Sequence, residues 1–267
     1  PTDCPQRDER MGWTGDAQVF VKTACFNYNV KKFFEKWLHD LTASVGEDGG
    51  VPGTGPNFWS WTMKSTAWGD AGTVVPWTIY LMYGDKTVLK DNFATMRGWV
   101  DYMTNTSIEP NLWIVEEEQK KKQHFSDWLA LDAPYGSYRG SSDENLIASA
   151  FYAYSTAIVV KAGKVIGEDV SKYETLYENI VSAYKAKFTE LKTQTEHVLT
   201  LFMGLTDNKK AVADSLVKLI RDNGNKLTTG FVGTPYLLHA LSENGYADVA
   251  YDLLLQEDFP SWLYEVN

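Results

Sequence analysis

The sequence has 267 residues, 44% of them apolar, which is enough to bury a large core and too many for a disordered chain. Its formal net charge is −10, from 25 basic and 35 acidic residues with the basic ones dispersed. An acidic surface repels phosphate backbones, so nucleic acid is excluded as the expected partner and a neutral ligand is favoured. The apolar runs fall far short of the roughly 20 residues that cross a bilayer, so no membrane insertion is expected.

In chain order, the first segment is Thr2-Asp3-Cys4-Pro5-Gln6-Arg7-Asp8-Glu9-Arg10-Met11-Gly12-Trp13-Thr14-Gly15-Asp16. Four carboxylates and two arginines this close together cannot form a buried helix, because too many charges would lose water without pairing. A helical stretch is expected at Asp16–Tyr28. Another runs from about Val30 to Val45, where Phe33, Phe34, Trp37, Leu38 and Leu41 form one stripe. A Gly- and Pro-rich loop, Gly46 to Gly55, leads into Phe58-Trp59-Ser60-Trp61. Ala71–Tyr83 is helical, and Val88, Leu89, Phe93, Met96, Trp99, Val100 and Met103 repeat the helical stripe. Trp37 and Trp99 are expected in the core.

Glu116-Glu117-Glu118 followed by Lys120-Lys121-Lys122 reads as a solvated face. A second loop, His124 to Ser142, carries Asp127-Trp128 and Asp132-Ala133-Pro134-Tyr135-Gly136. Helices are then expected at Glu144–Ile166, along the stripe Tyr173 to Phe188, and at Glu196–Leu205, Asn208–Asn223, Pro235–Asn244 and Ala247–Leu255. Strand-like alternation is scarce, so the fold class is all-α. Helices joined by aromatic and acidic loops suggest an α/α toroid with a cleft at one rim, and periodicity alone does not separate this from an irregular bundle. No composition break argues for a second domain.

Cys4 and Cys25 have no CxxC spacing and cannot form a zinc site alone; two free buried thiols are expected rather than one disulfide. No HExxH and no Asp-rich calcium loop occurs, so no metal or cofactor is implied. His39, His124, His197 and His239 are scattered along helical stretches and read as structural. Trp occurs 10 times, and a helical core accounts for part of this excess. A sugar cleft would account for more, because pyranose C–H faces stack on flat apolar rings.

The string DCPQRDERMGWTGDA resembles the signature of bacterial α-L-rhamnosidases, the glycoside hydrolase family of the family 78 type with an (α/α)6-barrel catalytic domain. Ala67-Trp68-Gly69-Asp70, Val75-Pro76-Trp77, Asp127-Trp128-Leu129-Ala130, Thr229-Gly230-Phe231 and Gly233-Thr234-Pro235-Tyr236 follow in the family's order, so the resemblance covers essentially the whole chain. It implies hydrolysis of terminal α-L-rhamnosides with inversion, with Glu9 as general acid. It further implies that Asp3, Arg7 and Asp16 hold the sugar hydroxyls and that Trp13 walls the apolar side of a 6-deoxy sugar. By a looser match Asp70, Trp77 and Trp128 line the cleft, while Asp127 is either a sugar ligand or a cap for a following helix. A general acid must hold its proton near neutral pH. Asp3, Asp8 and Asp16 could supply like charge at Glu9 and Trp13 desolvation, whereas Arg7 and Arg10 would oppose them.

Inversion also needs a second carboxylate to activate water, roughly 6.5–9.5 Å from the acid. The family's base segment has no counterpart in residues 1–267, and Glu265 reads as a solvated loop residue. The expectation is therefore a partial catalytic barrel spanning 1–267, inactive alone, with the base, the last barrel helices and flanking β-domains outside it. The expected partner is a rhamnose-containing glycan or glycoside, which favours a periplasmic or secreted setting. Rival readings are another (α/α)-toroid glycosidase, a lyase, or a non-catalytic sugar-binding domain.

Overall fold

The computed structural model describes residues 8–57, 63–118 and 124–266. Asp3, Cys4 and Arg7 therefore lie outside the described residues, as do Phe58 to Trp61. The helices are α1 (Thr14–Asn27), α2 (Lys31–Ala43), α3 (Ala71–Tyr83), α4 (Thr87–Thr106) and α5 (Glu144–Ile166), followed by α6 (Ser171–Lys187), α7 (Gln194–Phe202), α8 (Lys209–Asp222), α9 (Thr234–Ser242) and α10 (Ala247–Leu254). Among the described residues the only ladder pairing consists of isolated bridges, Trp13 to Thr54 and Trp128 to Arg139.

The helices form where apolar spacing and end chemistry agree. In α4 the whole expected stripe is buried, from Val88 and Leu89 through Trp99 to Met103. Asn208 caps α8 by accepting from the Ala211 N–H at 3.2 Å, and Ala213, Leu216, Val217 and Ile220 turn inward behind it. Helix α7 begins at Gln194 rather than Glu196, because Thr193 and Glu196 form a reciprocal capping box that satisfies the first turn. Helix α3 ends at Gly84, whose φ of 72° only glycine adopts cheaply.

Contacts divide the chain into two units. The first comprises Pro1–His124 and Phe151–Val181. In it α1 packs on α3, α3 on α4, and α2 against both α3 and α4. Leu41, Ile79, Leu89, Met96, Trp99, Met103, Trp113 and Ile158 fill its core. Trp99 stacks on Tyr102 at 5.5 Å and meets Trp113 edge-on at 5.4 Å. Two glycines admit these indoles. A Cβ at Gly69 would stand 2.4 Å from Cη2 of Trp99, and one at Gly15 would stand 2.8 Å from the Trp68 ring.

The second unit comprises Phe125–Ala150 and Ser182–Asn267. There α7, α8, α9 and α10 close on Val198, Leu216, Ile220, Leu237, Leu241, Val249 and Leu253. Helices α5 and α6 contribute residues to both units. Helix α5 is long and apolar enough to cross a membrane, with a window of mean hydropathy 1.3, but 78% of that window is buried inside the protein, as in an ordinary core helix.

Candidate functional site

The described half of the acidic motif is held as an edge rather than left as a loose loop. Gly55 N donates to Gly12 O at 2.8 Å and Thr14 N donates to Gly53 O at 2.9 Å, one on each side of Trp13. These are the two rungs of the Trp13–Thr54 bridge. Thr14 Oγ1 also donates to Pro52 O at 3.2 Å. The glycines of the 46–55 loop permit this, since a Cβ on Gly53 would sit 3.3 Å from Met63 O and 3.8 Å from the Trp13 ring. Trp13 emerges half-buried at the start of α1, while Glu9 is exposed. Arg10 takes a left-handed φ of 48°, a turn that costs an L-residue about 1 kcal/mol and is kept only where the surroundings impose it. Asp16 is half-buried in the first turn of α1, where the helix dipole favours a carboxylate.

Asp70 occupies a different setting. It is wholly buried: Oδ1 accepts from Trp99 Nε1 at 2.9 Å and from Ser155 Oγ at 2.5 Å, and Oδ2 accepts from Ala67 N at 2.7 Å. Ser155 in turn meets Thr73 Oγ1 at 2.7 Å. The Ala67 N–H is presented by a left-handed turn, φ 65°, which the carboxylate holds in place. Burial pushes the Asp70 carboxyl up to about 6, against the pull of its three donors. Trp77, on α3, is half-buried with its ring 5.4 Å from that of Tyr80.

In the second unit Asp127 is also wholly buried. Its Oδ2 accepts from Thr195 Oγ1 and from Gly230 N at 2.7 Å; its Oδ1 accepts from Val232 N at 2.7 Å and Gly233 N at 3.3 Å. Burial raises this carboxyl above the usual range, while the four donors pull it back. Beside it Trp128 is half-buried, with Phe125 at 5.6 Å and Tyr138 at 5.3 Å.

The family described as bacterial alpha-L-rhamnosidase 6 hairpin glycosidase domain matches residues 1–267. The chain belongs to that family. It is 37% identical to an alpha-L-rhamnosidase of Formosa agariphila, with all of this chain aligned to 29% of that protein. It is 36% identical to the alpha-L-rhamnosidase of Streptomyces avermitilis, whose crystal structure with L-rhamnose superposes at a TM-score of 0.88 over 100% of this chain and 25% of the other. The native rhamnosidase of Aspergillus terreus superposes at 0.89 with 31% identity, over 100% of this chain and 32% of that one. The chain thus spans between a quarter and a third of the length of these relatives. The all-α, α/α-barrel class expected from the sequence is the class of the rhamnosidase domains it matches.

Within this rhamnosidase-family domain, the residues expected at the site differ widely in burial. Asp70 was expected to line the cleft, and Asp127 to be either a sugar ligand or a cap for a following helix. In this structure each has both oxygens engaged by protein donors and no exposed surface. Asp127 does not cap a helix following it, because Trp128 lies in an isolated bridge and the next helix begins only at Glu144. The structure brings the motif and the Ala67–Asp70 segment together through Gly15 and Trp68. It places Trp13 and Trp77 in the first unit and Trp128 in the second. Sequence reasoning missed the pairing of residues 12–14 with 53–55, whose one signal was the density of glycine and proline in that loop. It also missed Ser155 and Thr195, single hydroxyls on helices with no motif around them. Cys25 is a free, half-buried thiol pushed up by desolvation.

Proposed function

We propose that this domain is part of an inverting α-L-rhamnosidase in which Glu9 donates the proton to the leaving oxygen. The observation that carries the reading is the match to the rhamnosidase domain family along residues 1–267, with relatives of 36–37% identity that bear that name. Rhamnose as the sugar is supported by the Streptomyces avermitilis relative, crystallised with L-rhamnose.

In this reading Glu9, exposed on the pinned motif, transfers its proton to the glycosidic oxygen as the C1–O bond breaks, and the bonding pair leaves with the aglycone. Water forms the new bond to C1 from the opposite face while a second carboxylate, which the reading assigns to the longer protein, takes its proton. Trp13, Trp77 and Trp128 are proposed as apolar walls, suited to the methyl group and C–H faces of a 6-deoxy sugar. Asp3, Arg7 and Asp16 are proposed to grip its hydroxyls, and flanking domains to meet the rest of the glycan.

The test is Glu9→Gln in the full-length protein, assayed on rhamnosides with poor and good leaving groups. General acid catalysis predicts a kcat loss of roughly 10²–10⁴-fold on the poor leaving group and a much smaller loss on an activated aryl rhamnoside. Equal losses on both would remove Glu9 from the role.

A further inference from the structure

The turn that carries Trp128 takes an unfavourable conformation and lies against a loop gathered by one buried carboxylate. Ser126 and Leu129, on either side of Asp127-Trp128, have φ values of 59° and 58°, a region side chains with a Cβ rarely occupy. Leu129 N donates to Tyr138 O at 2.6 Å and Gly140 N to Asp127 O at 2.9 Å, which closes the turn from one side. From the other side Phe231 N donates to Trp128 O at 2.8 Å. Gly230 presses so close that a Cβ there would lie 2.5 Å from Trp128 O. The loop doing the pressing, residues 230–233, is the one whose three N–H groups Asp127 gathers, and Thr195 Oγ1 ties the same carboxylate to the start of α7. Neither oxygen of Asp127 is left for a ligand.

We propose that Asp127 is a positioning residue: it locks the 230–233 loop beneath Trp128 and so sets the angle at which that indole meets the substrate. The inference rests on the reading of Trp128 as a sugar wall. It differs from a plain stability role because the effect on the ligand must pass through one side chain, Trp128.

The experiment is a double-mutant cycle in the full-length protein with L-rhamnose as the probe, its affinity measured by calorimetry and thermal stability by melting. Asp127→Asn keeps one acceptor oxygen but turns an NH2 group toward Gly230 N–H and Thr195, so the loop shifts. The expected result is an affinity loss of about fivefold, the contribution of one well-stacked ring, in the wild-type background. In a Trp128→Ala background the same substitution should change affinity by less than about twofold while lowering the melting temperature as much as before. Thr195→Val, which removes a single donor, should act in the same direction with a smaller loss, and it serves as readout if Asp127→Asn does not fold. The proposal is overturned if Asp127→Asn, or Thr195→Val in its place, weakens rhamnose binding equally in both backgrounds. It is also overturned if the melting temperature falls with no change in affinity, or if Trp128→Ala leaves rhamnose affinity unchanged. The leaving-group dependence of Glu9→Gln does not involve Trp128 and reports separately on the rhamnosidase reading.

Discussion

Asp70 makes the stability of the first unit depend on pH in an unusual direction. Its carboxyl stands near 3.8 when unfolded and is pushed up to about 6 in the fold by complete burial. For an acid with a raised folded value, the native state binds more protons than the unfolded state between those limits. Its contribution to stability is therefore greatest below about pH 4, falls as pH rises through 4 to 6, and is level above. Two pH units at about 1.4 kcal/mol each amount to about 3 kcal/mol lost across the window. Asp48, Asp169 and Asp214, whose values are lowered, contribute the opposite slope, so the effect must be isolated by difference. Asp70→Asn supplies the comparison. It keeps an acceptor for Trp99 and Ser155 and carries no charge. Its NH2 opposes the Ala67 N–H, a fixed penalty of about 1–3 kcal/mol at every pH. Urea unfolding of both proteins between pH 4 and 7 should show wild type more stable at pH 4, with its margin shrinking by about 3 kcal/mol by pH 6.5. Parallel curves would refute the claim that ionising Asp70 in its buried site is costly.

Further outcomes can be checked by simpler means. Asp8→Asn should show a weaker leaving-group dependence than Glu9→Gln on the same pair of rhamnosides, and the reverse order would exchange their roles. Free L-rhamnose should still bind Glu9→Gln in calorimetry, because the acid is not among the residues proposed to grip the sugar. A protein limited to residues 1–267 is expected not to hydrolyse an aryl rhamnoside even if it folds; turnover there would mean that a resident carboxylate such as Glu265 serves as base. Glu196→Ala should cost about 2–4 kcal/mol in urea unfolding, since the buried Glu196 carboxylate accepts from Asp143 N, Lys192 N and Thr193 N.

The helices were legible because their information is local. The stripe of α4 and the cap of α8 lie within a few residues of the bonds they make, and the start of α7 was placed two residues late because its capping box was overlooked. The motif was legible as a string, which points to a family but carries no geometry. Burial of Asp70 and Asp127 was not legible, because an aspartate in a loop looks the same whether it faces water or three or four protein donors. Here those donors come mostly from far along the chain: Ser155 from 85 positions past Asp70, and the 230–233 loop from more than a hundred past Asp127. Likewise, nothing in Gly12-Trp13-Thr14 announces a partner at Gly53 to Gly55; that pairing exists only once α1 and the loop are both in place.

The two glycines that lie flat against indoles tie the histories of distant positions together. With Trp99 in place, residue 69 has no room for even one methyl group, and Trp68 imposes the same limit on residue 15. A larger residue at 69 becomes acceptable only after the ring at 99 has shrunk, and a shrunken ring alone leaves a hole, so neither first step is neutral. Each pair should therefore pass through evolution as a single heritable unit. In a collection of related domains, a non-glycine residue at 69 should be found together with a smaller side chain at 99.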